Sequence, residues 1–135
     1  MGIMPFDCQP VPEVEAFIKK HYKGGTVLDF GCGSGRYAHC FPDEMYLGID
    51  GHEGNINLAK GNNPYKEFRC EDLEESDNIK FDYLFSSVVF DQLVKLPKGW
   101  AKKYILIEPT KYESEFKILI KEPLQNISMM VAEDK

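Results

Sequence analysis

Apolar residues along this chain switch between two periods. Val14, Phe17, Ile18 and Tyr22 keep the spacing of one helical face, and the Gly24-Gly25 pair stops the helix they predict. Thr26 to Phe30 is a short apolar run ending in glycines, the pattern of a buried parallel strand. Residues 36–41 predict a short helical stretch halted by Pro42. A second strand is expected at 45–49, then a short helix at 55–60 closed by Gly61. Residues 67–70 predict a third strand and 81–88 a fourth, followed by a helical turn through Leu93 and Leu96 to Pro97; 104–107 predict a fifth. Strands alternating with helical stretches predict an α/β fold: a three-layer, doubly wound, mostly parallel sheet with helices on both faces.

The last third has a different rhythm. Phe116, Ile118 and Ile120 alternate with Lys117 and Lys121, Pro123 to Asn126 reads as a turn, and 127–132 is apolar again. This predicts a C-terminal antiparallel hairpin. A competing signal lies in the same stretch. Thr110-x-x-Glu113 has the form of a capping box, and Tyr112, Phe116, Leu119 and Ile120 fit one helical face. The density of β-branched and aromatic residues alternating with charge favours the hairpin. No repeat, low-complexity tract or linker interrupts the chain, so residues 1–135 are expected to form one compact domain.

Composition narrows the function classes. The 135 residues are 43% hydrophobic and 28% charged, ordinary for a globular protein. Against 16 Lys and Arg stand 22 Asp and Glu, a net charge of −6, which counts against a domain that tracks nucleic-acid phosphates. The longest apolar runs, 104–107 and 129–132, are far short of the roughly 18 residues a spanning helix needs. Residues 1–10 lack the basic and apolar segments of a signal peptide, and Phe6 stands where myristoylation after Gly2 would want Ser or Thr. Cys8, Cys32, Cys40 and Cys70 form no Cys-x-x-Cys pair and read as free thiols in a reducing compartment. A cytoplasmic protein is the expectation.

The informative segment is Val27-Leu28-Asp29-Phe30-Gly31-Cys32-Gly33-Ser34-Gly35-Arg36. A strand that turns through glycines lets the backbone approach a ligand closely, because no Cβ intervenes. Gly31, Gly33 and Gly35 alternate, and Arg36 stands where a dinucleotide-binding fingerprint needs its third glycine, which argues against a nicotinamide oxidoreductase. Asp29 adds a carboxylate at the strand end; it would repel a diphosphate and attract a cationic amine or sulfonium.

Over Thr26 to Pro109 the sequence resembles the class I S-adenosylmethionine-dependent methyltransferases, whose Rossmann-like fold matches the α/β expectation. An acidic residue followed by alternating glycines opens that family's pattern, and Asp29, Gly31, Gly33 and Gly35 match it. Asp50, ending Tyr46-Leu47-Gly48-Ile49-Asp50, stands where the family holds the ribose hydroxyls; one carboxylate can accept both protons of a diol. Ile56, Leu58 and Ala59 occupy the small and apolar positions of the helix that follows. Asp72, after the third strand, matches the acid near the adenine amino group, and Phe81-Asp82 matches the opening of the fourth strand. Gly51 and His52 replace the larger apolar residue usual after the second strand, leaving Leu73 as the candidate for packing adenine. Gln92 stands where many members have His, and 110–114 is short for the family's last helical crossover, since a parallel connection needs about a dozen residues. Any strand after Phe116 is therefore expected to run antiparallel to its neighbour.

The resemblance implies S-adenosylmethionine as cofactor, held by Asp29, Gly31, Gly33, Gly35, Asp50, Asp72, Leu73 and Ser86 at the carboxyl ends of the strands, with no metal. The cofactor brings an activated methyl carbon, so no catalytic triad is required and no catalytic residue is assigned. The acceptor is expected near 88–92 and the N-terminal segment, where Phe6 and Asp7 offer either a flap or a loose terminus. Asp91 reads first as an exposed helix residue and second as a proton acceptor. His21, His39 and His52 read as surface or helix-end residues, and Arg36 and Tyr37 as packing on the first helix. Ser86-Ser87-Val88-Val89 carries none of the Pro-Pro motif of amino-group DNA methyltransferases, and 135 residues leave no room for an added substrate domain. A small-molecule acceptor is favoured, with a second copy or a partner protein left open. The alternatives are a non-catalytic S-adenosylmethionine-binding subunit and an enzyme that cleaves the cofactor.

Overall fold

The computed structural model describes residues 9–71, 80–87, 99–109, 116–125 and 127–135. Helix α1 (Pro12–His21) opens on a proline, carries Glu13 and Glu15 in its first turn and Lys19, Lys20 and His21 in its last. Both charge placements oppose the helix dipole favourably. Its buried stripe is Val14, Phe17 and Ile18, each side chain worth about 1.5–3 kcal/mol when removed from water. Gly24 and Gly25, at φ of 101° and 113°, then turn the chain into strand β1 (Val27–Phe30).

The expected helix at 36–41 is reduced to one 3₁₀ turn, Ala38–Cys40. Its bonds run from Ala38 N–H to Gly35 O, from Cys40 N–H to Tyr37 O and from Phe41 N–H to Ala38 O. Between Gly35 and Pro42 there is room for that tighter turn and little else. Strand β2 (Tyr46–Asp50), helix α2 (Glu53–Asn62) and strand β3 (Glu67–Cys70) follow. Helix α2 runs through Gly61 and buries only Ile56 and Ala59. Strands β4 (Phe81–Ser87), β5 (Ala101–Pro109), β6 (Lys117–Leu124) and β7 (Ile127–Glu133) complete one seven-stranded sheet in the order β3-β2-β1-β4-β5-β7-β6.

Strands β3, β2, β1, β4 and β5 run parallel to one another. The C-terminal hairpin is present, and β7 inserts antiparallel between β5 and β6, so β6 is the edge. Pro123, expected in the turn, lies within β6; an edge strand tolerates a residue with no N–H to donate. Alternation predicted a buried face for β6; in the structure Lys117 to Lys121 are all exposed, and the pairing with β7 shifts register between Ile118 and Ile120. The capping-box stretch and the turn through Leu93 and Leu96 lie outside the described residues.

Both described helices pack on one face of the sheet, over Val27, Tyr83, Phe85, Ile105 and Val131. The other face carries Leu28, Leu84, Tyr104, Leu106, Met130 and Ala132, with Trp100 and Phe116 against them. Among the described residues no helix is long and apolar enough to cross a membrane.

Candidate functional site

The turn after β1 is hooked onto the end of β2. The N–H groups of Gly31 and Cys32 both donate to Ile49 O, at 3.0 and 2.9 Å, and Gly35 N–H closes back on Cys32 O. Gly31, Gly33 and Gly35 all have positive φ (74°, 56° and 78°), a backbone that side-chain-bearing residues rarely adopt. Two of these glycines are needed for different reasons. A Cβ on Gly35 would stand 2.9 Å from Asn63 Nδ2 and 3.4 Å from Ala59 Cβ, so the Asn63 side chain would have to give way where the loop packs on α2. A Cβ on Gly33 would meet nothing within 4 Å, so this part of the loop faces open space.

Asp50 fixes that open face. Its carboxylate accepts from Gly33 N–H at 3.0 Å and from His52 N–H at 2.8 Å, joining the glycine loop to the start of α2. Two of about four lone-pair positions remain for a ligand.

A pocket of about 150 Å³ opens beside the loop, lined by Asp29, Cys32, Gly33, Tyr37, Phe85 and Ser87 among others. Asp29 is 3% exposed and accepts a hydrogen bond from the Tyr46 hydroxyl. Burial pushes its carboxyl up to about 7, the Tyr46 bond pulls the other way, and the Asp50 charge adds to the rise. Asp29 is thus not the free anion that its position in the sequence suggested. The same surroundings drive the Cys32 thiol well above its ordinary range, mainly through burial. Tyr37 is buried and its hydroxyl accepts from Val11 N–H at 3.1 Å; Arg36, also at the pocket, donates to Gln9 O at 2.8 Å. These two residues seat the N-terminal segment on the loop.

Of the residues that the sequence singled out, Asp29, Gly31 and Gly33 line the pocket, Asp50 grips its rim from β2, and Gly35 packs behind it. Ser86 faces the other way. Successive strand residues point to opposite faces, so Ser87, in phase with Phe85, reaches the pocket and Ser86 is buried behind the sheet. Asp72, Leu73, the 88–92 segment with Asp91 and Gln92, and Phe6 and Asp7 lie outside the described residues. Asp82 works at the other end of the strands: its carboxylate accepts from Thr26 N–H at 2.9 Å. His21 packs on Phe17 at the end of α1, His39 pairs with Glu15, and His52 precedes α2. Cys32, Cys40 and Cys70 are free thiols. Tyr46, Tyr37 and Ser87 were missed. For Ser87 the two-residue period was signal enough; for the tyrosines nothing local was.

Comparison with known proteins bears on this geometry. A family model described as a methyltransferase domain matches residues 21–123. The chain is 35% identical over 83 residues to the tRNA (carboxymethyluridine(34)-5-O)-methyltransferase of Saccharomyces cerevisiae; the match takes in 60% of this chain and 30% of that protein, so the chain spans under a third of that relative. A TehB-like SAM-dependent methyltransferase from Corynebacterium glutamicum superimposes with a TM-score of 0.64 at 14% identity, over 90% of this chain and 87% of the other. Magnesium protoporphyrin IX methyltransferase from Synechocystis PCC 6803, solved with bound SAM, gives 0.59 at 17% identity, over 91% and 76%. At such identities the structural likeness speaks for the fold.

Proposed function

The chain belongs to the methyltransferase domain family, and from that premise we propose that it is an S-adenosylmethionine-dependent methyltransferase acting on a small-molecule acceptor held near the carboxyl ends of β4 and β5. The observation that supports the cofactor assignment is the Gly33–Asp50 clamp beside a buried Asp29: a backbone cradle with open space where a Cβ would stand, next to a carboxyl that pairs with no cationic side chain among the described residues. That donor set fits the cofactor. In this reading Asp29 receives the ammonium group, the spare lone pairs of Asp50 take the ribose hydroxyls, and Asp72 and Leu73 meet the adenine. Gly31, Gly33 and Gly35 supply the backbone contour, and Ser86 contributes through its main chain at the end of β4.

S-adenosylmethionine supplies a methyl carbon already activated by positive sulfur. The protein's part is to orient the acceptor and keep water out. The net charge of −6 and the modest pocket favour a small acceptor over a polyanion. One observation favours a second reading: the yeast relative carries tRNA in its name, although this chain matches only 30% of that protein. The free thiols among the described residues accord with a reducing cytoplasm, and we read residues 1–135 as one domain, with a second copy or a partner protein left open.

The test has two parts. Calorimetry with S-adenosylhomocysteine should give one site per chain, weakened about tenfold or more in Asp50→Ala. Methyl-labelled S-adenosylmethionine, incubated with separated small-molecule and RNA fractions of a cell extract, should label the former. Label confined to RNA would overturn the small-molecule assignment, and label passing to neither would favour a cofactor-binding subunit.

A further inference from the structure

Where α1 meets the 3₁₀ turn Ala38–Cys40, three chemically different side chains come together. Glu15 comes from the first turn of α1, and His39 and Cys40 are consecutive in the 3₁₀ turn. One ligand atom of each lies within 4.8 Å of the other two. Cys40 Sγ stands 3.8 Å from His39 Nε2, and the same nitrogen contacts the Glu15 carboxylate. A surface ion pair of Glu15 with His39 needs no third donor. The thiol turned to the same nitrogen is what such a pair leaves unexplained. No short spacing announces this cluster: Glu15 and His39 are 24 residues apart, and α1 must pack on the turn before they meet.

We propose that Glu15, His39 and Cys40 form a site for a borderline-soft divalent cation of the zinc class, with the fourth position left to water. The dimensions suit it. Donor atoms around a tetrahedral zinc ion stand about 3.3–3.7 Å apart, against 3.8 Å here from sulfur to nitrogen. The side chains of His39 and Glu15 are 47% and 36% exposed, so a cation can reach them from solvent and both can adjust around it. The donor set is selective as well. Thiolate and imidazole favour zinc and its neighbours, whereas magnesium and calcium prefer sites built from oxygen alone.

Charge and protons balance. On binding, the Cys40 S–H proton leaves to solvent and the sulfur pair goes to the metal. His39 keeps its single ring proton on Nδ1 and gives the Nε2 lone pair, and Glu15 gives a carboxylate oxygen. One thiolate and one carboxylate then offset the two positive charges. Without metal, burial and then the Glu15 charge push the Cys40 thiol up to about 12, which argues against a Cys–His nucleophile. The same Glu15 charge attracts a cation. Lys66, whose charge also reaches Cys40, is paired with Asp43. The cation would tie α1 to the chain that lines the pocket, since Tyr37, two residues before His39, both faces the pocket and accepts from Val11 N–H.

The test titrates zinc chloride into the full chain by calorimetry with no methyl donor present, so it is decided apart from the methyl-transfer reading. One equivalent should bind with a dissociation constant of about 1 μM or tighter, and magnesium chloride should give no such binding. Cobalt(II) should show a sulfur-to-metal charge-transfer band that Cys40→Ser removes. Glu15→Gln, His39→Gln and Cys40→Ser should each weaken zinc binding about tenfold or more, while Cys70→Ser leaves it unchanged. Zinc should also raise the urea midpoint of wild type and not that of His39→Gln. If Cys40→Ser does not fold, Glu15→Gln and His39→Gln, altered at exposed side chains, decide the matter together with the cobalt spectrum of wild type. Zinc binding weaker than about 1 μM, losses below tenfold in the variants that fold, dependence on Cys70, equal binding of magnesium, or cobalt bound without the sulfur band each overturns the proposal.

Discussion

The Tyr46 hydroxyl donates to the buried carboxyl of Asp29 across two parallel strands. Tyr46 opens β2 level with Val27, and its ring runs along the strand to reach the end of β1. Among the described residues it is the donor that lowers the Asp29 pKa against the opposing effect of burial. Tyr46→Phe should therefore raise the titration of Asp29 further above 7. Cofactor affinity at pH 7 should fall and recover at higher pH, whereas a purely structural loss would depress affinity at every pH. Stability should drop by about 1–3 kcal/mol, the cost of leaving a buried acceptor unmatched. Calorimetry across pH and urea unfolding read the two effects separately.

Proton release should accompany cofactor binding. A cation placed against Asp29 favours its charged form, so binding below about pH 7 must expel the proton that the carboxyl holds. Calorimetry in buffers of different ionisation enthalpy should show protons leaving at pH 6 and fewer at pH 8. Asp29→Asn should abolish that component. An equal proton count in the variant would mean that Asp29 does not meet the cation.

Stability of the ligand-free protein should fall as pH rises from about 5 to 8. Asp29 and Glu108 both titrate near 7 in the folded chain, well above an unfolded carboxyl, so the folded state holds more protons between those limits. Each such proton lowers unfolding free energy by up to about 1.4 kcal/mol per pH unit. Asp82 and Glu133, both lowered by their partners, act only below about pH 4.5, where their contribution is lost. His21 is lowered mainly by burial and works in the opposite sense, favouring the folded state as pH rises through about 6.5. Urea midpoints should be higher at pH 5.5 than at pH 8, and the difference should shrink when Asp29→Asn and Glu108→Gln are combined.

Asp50→Asn should damage the loop before it damages the ligand. Asp50 accepts two backbone N–H groups, and an amide must turn its own NH₂ toward one of them. A loss of about 1–2 kcal/mol is expected, with weaker S-adenosylhomocysteine binding in parallel. If binding weakens while the urea midpoint is unchanged, Asp50 acts on the ligand alone.

Much of this was legible in the chain. The strand run Val27–Phe30, the alternating glycines and the acid at Asp50 are local signals, and each fixes a local structure. Gly24-Gly25 and Pro42 bounded their elements because backbone sterics act within a residue or two. What escaped depends on register. Nothing within a few residues of Tyr46 says that its hydroxyl reaches Asp29, because β2 must first pair in parallel with β1. Ser86 was chosen over Ser87 because the acid-and-glycine pattern carries no phase for β4, whereas the buried side chains Tyr83 and Phe85 carry it. Glu108 reads in isolation as a solvated charge at a strand end, and only its opposition to Ser128 and its place on the inner face reveal a buried one.

Gly48 sets the last expectation. It lies opposite Asp29 in the register of β1 and β2, and a Cβ there would stand 2.6 Å from Phe68 Cδ1 and 3.0 Å from the Tyr46 hydroxyl. Its φ is not positive, so alanine would strain packing and not the backbone. Phe68 is buried between strand and helix and has little room to retreat. Gly48→Ala should cost about 1–3 kcal/mol, the usual toll of overfilling a core. The displaced Tyr46 hydroxyl should also release Asp29, so the variant should reproduce the raised pH dependence of Tyr46→Phe. The two substitutions combined should cost less than their sum, since both act through one hydroxyl. Strict additivity in urea unfolding, or a wild-type pH profile for Gly48→Ala, would separate Gly48 from the Tyr46–Asp29 pair.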